Sequence, residues 1–341
     1  MTIEHVPRSA APTLEAVAAA AGVSRSTVSR VVNGSPKVAA DVVATVQRAI
    51  ESLGYVPNRA ARSLAQRRSM AIALVVPEDT TRFFGDPYFA SIVAGITSVL
   101  DDSDYVLVLQ LAKSKGSARN TVRYLLGGNV DGALVVSHHS TDIELTELAA
   151  ALPVVFNGRL LQSTETPTYF VDVDNVAGAM LGTQKLIDIG RTRIAILAGP
   201  DDMRPGIDRA VGWKRALDAA GLSSERLVRG DFTRAGGAAS MRQLLAQHPD
   251  IDGVFAASDL MASGAVAALR ESGRSVPADV AVVGFDDAPA AVDGDVLLTT
   301  VHQPAEVTGA TMANMLLARL RGEDIERERI LPTRLVERDS A

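Results

Sequence analysis

Apolar residues near the start of the chain recur at spacings of three and four, which is the period of an amphipathic helix. This pattern predicts a helix over residues 14–21, and Gly22 is placed to form the turn into a second short helix. Thr13 and Ser24 precede the two helices at the positions of N-caps. A third apolar face runs over residues 39–53. The chain is therefore expected to begin with a small three-helix domain.

From residue 70 onwards the pattern changes to short apolar runs that alternate with helical patterns. Strands are predicted at 71–76, 105–110, 132–136, 153–156, 193–199, 227–232, 253–257, 280–285, 298–302 and 330–336. Helices are predicted at 89–100, 118–126, 144–151, 176–189, 210–220, 236–246, 261–271 and 307–320. This alternation predicts two parallel sheets, each covered by helices on both faces. Two such units in series are typical of the two-lobed type I periplasmic-binding-protein fold, in which ligands bind outside the carboxyl ends of the strands.

The polar side of the second helix has an unusual composition for a surface that faces only solvent. It carries arginine, serine and asparagine and no acid: Arg25, Ser26, Ser29, Arg30 and Asn33. These side chains suit phosphates and base edges, so we expect the helix to read DNA. Arg25, Ser26 and Arg30 are expected to contact bases, whereas Thr13 and Ser24 position the backbone. The alternative is a helical hairpin that belongs to a core.

The charge distribution supports the DNA-binding interpretation once the chain is divided. The whole chain of 341 residues carries a net charge of −6. Residues 1–69 hold nine Lys and Arg against four acids, a net charge of +5, which leaves −11 for residues 70–341. A basic head on an acidic body concentrates the attraction for phosphates at one end of the chain.

Residues 57–69 are too short and too polar to form a stable helix alone. They carry several arginines and only one large apolar residue, Leu64. From the residues alone, this segment is expected to be a solvated linker in the absence of DNA.

Two segments resemble the lactose/galactose-repressor (LacI) family. TLEAVAAAAGVSRSTVSRVVNGSPKVAADV is similar to the DNA-binding headpiece of that family, and ESLGYVPNRAARSLAQRRS to the end of its third helix and its hinge helix. The resemblance implies that the linker folds on DNA as a hinge helix in the minor groove, with Leu64 as an apolar wedge. The DNA contacts that it implies are Thr13, Ser24, Arg25, Ser26, Thr27, Ser29, Arg30, Asn33, Asn58, Arg59, Arg62 and Leu64.

The expected fold class is α+β multidomain, with an all-α helix-turn-helix headpiece and two α/β doubly wound, type I periplasmic-binding-protein-like lobes. The expected domains are a headpiece at 1–56, a hinge at 57–69 and an effector-binding domain at 70–341. The resemblance implies that the lobes are not strictly sequential, because the tail helix returns to the first lobe and the last strand to the second. The expected lobe boundaries are about 70–168 with 299–327, and 169–298 with 328–341.

Candidate effector residues follow the predicted strands, where the cleft should lie. They combine aromatic rings with an arginine, an asparagine and carboxylates, which suits a hydroxyl-rich ligand such as a sugar. They are Tyr88, Phe89, Asn157, Arg209, Trp213, Phe232, Ser258, Asp259 and Asp286, and all match positions where the resemblance places effector contacts.

Alternative roles remain open for several of these residues. Ser258 and Asp259 could cap a helix, and Trp213 could belong to the core. Two departures from the family pattern also stand out: Ser258 occupies a position where Asn is common, and an extra residue precedes Arg159 in FNGR. These departures indicate that the ligand need not be a common hexose.

Enzyme functions find little support in the sequence. The chain has no cysteine, and it lacks the GxGxxG turn after the first strand, the P-loop motif and the GxSxG elbow. The adjacent His138 and His139 point in different directions and make a poor metal pair, so a loop or pocket-rim role is expected. No metal or cofactor is predicted.

The function expected from the whole sequence is a ligand-responsive transcription regulator, most simply a repressor that a small polar metabolite such as a sugar releases from a palindromic operator. Its expected partners are double-stranded DNA, the effector and a second copy of the chain, with no membrane. No apolar run reaches membrane-spanning length and no secretory signal is seen, so a cytoplasmic location is expected. The alternatives are a solute-binding protein of a transport system and an architectural DNA-binding protein with a vestigial pocket.

Overall fold

A computed structural model describes residues 12–32, 35, 37–55, 68–113, 115–161 and 167–341. The chain divides into two compact units between residues 69 and 70. Each unit is described by itself below. No helix in the described ranges is long and apolar enough to cross a membrane.

The first unit contains three helices, α1 (Leu14–Ala21), α2 (Arg25–Val32) and α3 (Ala40–Leu53). The Thr13 side chain accepts a hydrogen bond from the Ala16 amide, and Gly22 adopts the left-handed conformation (φ 65°) that ends α1. The three helices share a small apolar core built on Val17, Ala18, Val28, Val46, Ala49 and Tyr55. The predicted three-helix headpiece is confirmed.

The second unit contains two six-stranded sheets. The first sheet consists of β1 (Ala71–Val76), β2 (Val106–Leu111), β3 (Gly132–Val135), β4 (Val154–Asn157), β5 (Tyr169–Val173) and β11 (Glu328–Leu331), in the order β11-β5-β4-β3-β1-β2. All of its strand pairs are parallel. The helices of this region are α4 (Thr80–Gly85), α5 (Pro87–Leu100), α6 (Lys115–Tyr124) with a π-helical turn at Leu125–Asn129, and α7 (Ile143–Ala151).

The second sheet consists of β6 (Ile194–Ala198), β7 (Leu227–Arg229), β8 (Gly253–Ala256), β9 (Ala281–Asp286), β10 (Thr299–His302) and β12 (Arg334–Val336), in the order β12-β10-β9-β8-β6-β7. Its pairs are parallel except for the antiparallel pair of β10 and β12. Its helices are α8 (Asn175–Asp188), α9 (Arg204–Ala219), α10 (Arg234–Gln247) and α11 (Asp259–Glu271), and a 3-10 turn spans Pro289–Ala291. The expected fold class, two doubly wound lobes behind a helical headpiece, is confirmed.

The tail helix α12 (Ala305–Arg321) packs in the first lobe, as the resemblance implied. It approaches α5 so closely that a Cβ on Gly95 would lie 1.9 Å from the Glu306 carbonyl oxygen. A Cβ on Gly309 would lie 2.2 Å from the Ile92 carbonyl oxygen. Glycine at both positions therefore allows the two helix backbones to touch.

Three short segments lie in the sheet opposite to the one expected. Residues 169–173 and 328–331 pair with the first sheet, and residues 299–302 pair with the second. The predicted strand at 330–336 is in fact two strands, β11 and β12, one in each sheet. Pairing with other strands decides these assignments, as for Tyr169 with Val155, Thr299 with Val283 and Glu328 with Phe170, and no local pattern carries that information.

Two helices differ from the predicted pattern. Helix α4 was not predicted; it begins at Thr80, and the side chain of its N-cap Asp79 accepts a hydrogen bond from the Arg82 amide. Helix α9 begins at Arg204 rather than at residue 210, because Pro205 suits the first turn of a helix. As a result Arg209 lies in the second turn of α9, with its side chain buried.

Candidate DNA-reading helix and effector pocket

Helix α2 presents a polar face from a well-capped start. The Ser24 hydroxyl accepts a hydrogen bond from the Thr27 amide (3.1 Å) and also contacts the hydroxyls of Ser26 and Thr27. Val28 on the opposite side is fully buried in the headpiece core. The core contact on one side and the cap at the start together fix which face of α2 is turned to solvent.

The arginines of this face are open to solvent. Arg25 and Arg30 are exposed, and the Arg25 Nε lies 3.1 Å from a Glu15 carboxylate oxygen on α1. Both side chains of that pair are more than half exposed, so the contact is weak and can yield to a phosphate or a base. Ser29 on the same helix is half-buried. The other predicted DNA contacts, Asn33, Asn58, Arg59, Arg62 and Leu64, lie outside the described residues.

A cavity lies between the two lobes of the second unit, at the carboxyl ends of the strands. Ligands of doubly wound folds bind at this edge of the sheets. Seven of the nine candidate effector residues line it: Tyr88, Phe89, Asn157, Arg209, Phe232, Ser258 and Asp286. Trp213 and Asp259 do not.

Arg209 and Asp286 form the charged centre of the cavity. The Arg209 Nη1 lies 3.6 Å from an Asp286 carboxylate oxygen, and its guanidinium lies 3.6 Å above the centre of the Phe285 ring. Arg209 also donates to the Asn175 side chain (2.8 Å) and to the Ala257 carbonyl (2.6 Å). These contacts hold the guanidinium in one orientation, as bidentate recognition requires.

Burial changes the ionisation of this pair. Loss of hydration raises the pKa of Asp286 to about 7, although the charge of Arg209 opposes the rise. The Gln303 side chain donates a hydrogen bond to the same carboxylate (2.6 Å). Burial also lowers the pKa of Arg209. A ligand hydroxyl that bonds to Asp286 would therefore meet a carboxylate that takes up a proton readily near neutral pH.

The first lobe contributes the opposite wall of the cavity. The Tyr88 hydroxyl donates to the Asn157 amide oxygen (2.7 Å), which joins the start of α5 to the end of β4. Arg82 of the first lobe donates to the Phe232 carbonyl of the second lobe (2.7 Å). Phe232 also places an aromatic ring in a cavity rich in hydrogen-bonding groups, and this combination is expected of a sugar-binding site.

Backbone strain is concentrated around the cavity. Ser137, Phe232 and Asp286 have φ values of 62°, 62° and 121° and all line the cavity. Residues other than glycine rarely adopt positive φ values. Those that do cluster at ligand-binding and switch regions. The cavity is therefore marked as functional independently of its side-chain chemistry.

The structure corrects the roles expected for Trp213 and Asp259. Trp213 is 1 % exposed and packs in the apolar core of the second lobe, because the helix face that bears it turns towards the sheet. Asp259 is fully buried and accepts hydrogen bonds from the Thr300 hydroxyl (2.6 Å) and the Ala288 amide (2.9 Å). It braces the segments that follow β9, while Ser258 caps α11 and also lines the cavity.

Sequence reasoning missed a set of polar residues that line the cavity. They are Arg82, Asp86, Asp172, Asn175, Arg204 and Gln303. Asp172 and Asn175 lie at or just after β5, which was not predicted, so the rule that found the other candidates had no strand to apply to there. Gln303 directly follows the predicted strand β10, so the same rule would have found it. Arg82 lies in the unpredicted helix α4 and Asp86 directly follows it, and only the presence of this helix brings them to the cavity.

No group of three or more acidic or histidine side chains among the described residues could hold a metal ion. His138 lines the cavity and is buried, and loss of hydration lowers its pKa to about 4. It is therefore a neutral imidazole at physiological pH. The neighbouring His139 is not among the residues that line the cavity.

Comparison with protein families gives two matches in agreement with this organisation. Residues 13–58 match the model of bacterial regulatory proteins of the lacI family. Residues 183–341 match the model of the periplasmic binding protein-like domain. The first match covers the headpiece and the second covers most of the second lobe and the tail.

Individual relatives and solved structures extend over nearly the whole chain. The HTH-type transcriptional regulator CelR of Thermobifida fusca is 47 % identical over 96 % of this chain and 98 % of its own length. The ribose operon repressor of Escherichia coli (strain K12) is 33 % identical over 96 % of this chain and 99 % of its own length.

Two solved structures cover both units of the chain. A CelR–cellobiose complex is 44 % identical and has a TM-score of 0.77, covering 97 % of this chain and 100 % of its own. A lac repressor dimer bound to operator and an anti-inducer is 30 % identical and has a TM-score of 0.84, covering 96 % and 98 %. The chain combines a DNA-binding headpiece with a two-lobed effector domain, and these relatives match it over nearly its whole length. It is therefore a ligand-responsive transcription regulator and not an enzyme, and it belongs to the LacI family of bacterial regulatory proteins.

Proposed function

We propose that this protein is a repressor whose effector is cellobiose or a closely related disaccharide of glucose. The observation that carries the proposal is the 47 % identity to CelR over 96 % of the chain, together with the fold shared with a CelR–cellobiose complex. A disaccharide also accords with the departure at Ser258, which lines the cavity at a position where the family commonly has Asn.

The chemistry of the cavity supports a neutral, hydroxyl-rich ligand. Arg209, Asp286 and Asn157 offer paired donors and acceptors that suit vicinal hydroxyls. Phe232 and Phe89 offer rings that can cover the C–H faces of a pyranose. The cavity lining balances three arginines, Arg82, Arg204 and Arg209, against three aspartates, Asp86, Asp172 and Asp286, so it offers little net charge for a charged ligand to neutralise.

On the DNA side, we propose that Arg25, Ser26 and Arg30 read base edges and that Thr13, Ser24, Thr27 and Ser29 position the headpiece on phosphates. Two headpieces of a homodimer would bind the two halves of a palindromic operator, since one short helix reads only a few bases. The lac repressor structure, a dimer on its operator, supports this arrangement. The site of action would be the cytoplasm, where the operator DNA lies.

Coupling between the two functions is proposed to run through residues 57–69. Effector binding would shift the first lobes of the two subunits, and the hinge segments would meet or separate with them. We favour induction, in which the ligand favours the separated state and releases the operator. Leu64→Ala is then expected to weaken operator binding and DNA bending without changing effector affinity.

The test uses the full chain and an operator selected from random double-stranded DNA by the protein itself. Cellobiose is expected to raise the melting temperature, because a ligand of the folded state at about 100 times its Kd adds about 2.7 kcal/mol of stability. It is also expected to release the selected operator in a gel-shift assay. Maltose, which differs in the linkage between its two glucose units, and ribose serve as matched controls.

The possible outcomes separate the parts of this proposal. If ribose acts and cellobiose does not, the assignment of the effector is wrong while the repressor function stands. If cellobiose strengthens operator binding, it is a corepressor and the direction of coupling is reversed. If the protein selects no palindrome, the proposed mode of DNA binding must be abandoned.

A further inference from the structure

The two adjacent histidines at the end of β3 have different surroundings. His138 faces the cavity, and its Nε2 lies 3.4 Å from the Gly158 carbonyl oxygen. The His139 ring lies instead between two carboxylates, with Nδ1 2.9 Å from an Asp202 oxygen and Nε2 3.4 Å from a Glu78 oxygen. One residue of the pair therefore touches the ligand space, and the next makes an ionic bridge.

This bridge crosses the cleft. Glu78 follows β1 in the first lobe, whereas Asp202 follows β6 in the second. The Ser140 amide also donates to the Asp202 carbonyl (2.8 Å), so the loop after β3 grips Asp202 through both backbone and side chain. His139 and Ser140 together tie the two lobes at one rim of the cavity.

Two further polar contacts cross the cleft. Arg159 donates to Asp208 of α9 (2.5 Å), and within its own lobe it also donates to Asp172 (3.3 Å). Arg82 donates to the Phe232 carbonyl. Arginine keeps its charge at any physiological pH, so of these cross-cleft contacts only the one made by His139 can be switched by a proton near neutral or mildly alkaline pH.

The groups that face His139 favour its charged form. Glu78 and Asp202 approach the ring, and Asp142 of the same loop accepts a hydrogen bond from the His139 amide (2.7 Å). Burial keeps the neighbouring His138 imidazole neutral, so it adds no positive charge beside His139. The hydrogen bond to Glu78 is the largest influence that raises the pKa of His139, to about 9, with Asp202 adding to it and partial burial opposing it.

We propose that His139, as a charged imidazolium, is a latch that holds Asp202 of the second lobe to Glu78 of the first and thereby couples effector affinity to pH. This proposal rests on the proposed function, because it requires that the cleft closes when the effector binds. His139 is a positioning residue, since it is His138 and Ser137, directly before it on the same loop, that line the cavity.

The direction of the pH effect follows from which partner leaves when the cleft opens. Glu78 stays beside His139 because both belong to the first lobe, whereas Asp202 moves away with the second. The imidazolium therefore holds its proton more tightly in the closed form than in the open form. The latch stabilises closure fully below the pKa of the open form, and this stabilisation is lost as the pH rises through the closed-form pKa of about 9.

The first measurement needs no ligand. The full chain has five histidines, so its imidazole signals can be followed by NMR after ¹³C-histidine labelling, with His139 assigned from its absence in His139→Gln. The His139 signal is expected to titrate near pH 9 in the parent protein. In Asp202→Asn its midpoint is expected to fall by about one pH unit. An unchanged midpoint in Asp202→Asn would overturn the latch.

The second measurement is cellobiose affinity by calorimetry at about pH 8 and about pH 10, a range above the pKa of Asp286. The parent protein is expected to bind roughly three to ten times more weakly at the higher pH, since one unit of pKa difference corresponds to a tenfold change. His139→Gln and Asp202→Asn are expected to bind more weakly at pH 8 and to lose the pH dependence. His248→Gln, which alters a histidine at the end of α10, is the control and should keep the parent profile.

The two measurements keep the hypotheses apart. If cellobiose does not bind at any pH, the proposed effector is wrong, and the titration of His139 with and without Asp202 still decides whether the latch exists. If cellobiose binds and His139→Gln retains the parent pH profile, the latch does not couple to the effector, while the proposed function stands.

Discussion

Two arginine–carboxylate pairs, one in each unit, illustrate how differently the two functions of this protein are built. Arg25 on the reading helix pairs with Glu15 at 3.1 Å, and the Arg25 side chain is 73 % exposed. Arg209 in the pocket pairs with Asp286 at 3.6 Å, and the Arg209 side chain is 5 % exposed. The shorter contact is the weaker interaction, because water screens the exposed pair and not the buried one.

The difference follows from what each arginine must meet. DNA is a large external surface, so its reader must stay open to solvent and exchange a weak internal partner for phosphates and bases. A small sugar must be enclosed, so its binding groups are held in place by other protein groups before the ligand arrives. The fold should therefore tolerate substitutions on the exposed face of the reading helix, whereas the pocket shares its residues with the core.

Replacement of Arg209 is expected to have the largest effect. Arg209→Ala removes the donor to the Asn175 side chain and the Ala257 carbonyl and leaves Asp286 protonated near neutral pH, which should destabilise the fold by about 1–3 kcal/mol and reduce cellobiose affinity at least about 100-fold. Calorimetry and thermal melting measure both effects. Arg209→Lys keeps the charge without the planar fork and should fold while still binding the sugar weakly.

Arg242→Ala is the matched control for this substitution, because the pair of Arg242 with Glu271 is exposed on both sides. It should leave both the melting temperature and the affinity nearly unchanged. Operator binding by folded Arg209→Lys should persist when cellobiose is added, since the headpiece is a separate unit. An Arg209→Lys protein with parent affinity would show that Arg209 does not bind the effector.

Replacement of Arg25 is expected to have an intermediate effect of a different kind. Arg25→Ala should weaken binding to the selected operator by about 1–3 kcal/mol, with the loss confined to particular base pairs. The melting temperature should not change, because the Arg25 side chain is exposed. Arg48→Ala, an exposed arginine on α3, is the control and should not alter base preference. An equal loss across all operator variants would make Arg25 a phosphate contact.

Replacement of Trp213 is expected to have the smallest effect on function. Trp213→Phe keeps an aromatic ring in the core and removes an indole N–H that has no hydrogen-bond partner among the described residues. The smaller ring leaves a cavity that should destabilise the fold by about 1–3 kcal/mol, and cellobiose affinity should match the parent protein. A loss of affinity beyond tenfold at unchanged stability would place Trp213 in the ligand site after all.

The headpiece could be predicted closely because its signals are local. The predicted helix at 14–21 coincides with α1, and the third helix starts one residue later than predicted, at Ala40. Caps, a glycine turn and a period of 3.6 residues all act within a few positions of one another. The same locality explains why the exposed face of α2, with Arg25 and Arg30, could be recognised from residue types alone.

The pocket could be predicted only in part. Residues directly after the recognised strands, such as Asn157 and Phe232, reach the cavity as expected. Trp213 does not reach the cavity, because it lies on a face of α9 that is turned into the core. Asp172 was missed together with β5, a strand whose polar and apolar residues give only a weak pattern.

The sequence by itself determined the helices of the headpiece and most strands of the lobes, because backbone propensity and side-chain periodicity act locally. It thereby also located the strand ends after which ligand-binding residues are expected. Only the tertiary structure decided which sheet receives β5, β10 and β11, which candidate residues face the cavity and that His139 meets Asp202 across the cleft. Those outcomes depend on contacts between residues from 14 positions apart, as in the pairing of Val155 with Tyr169, to 165 positions apart, as in that of Arg319 with Val154. The free energy of such contacts comes from the packing of the whole domain, which no window of sequence contains.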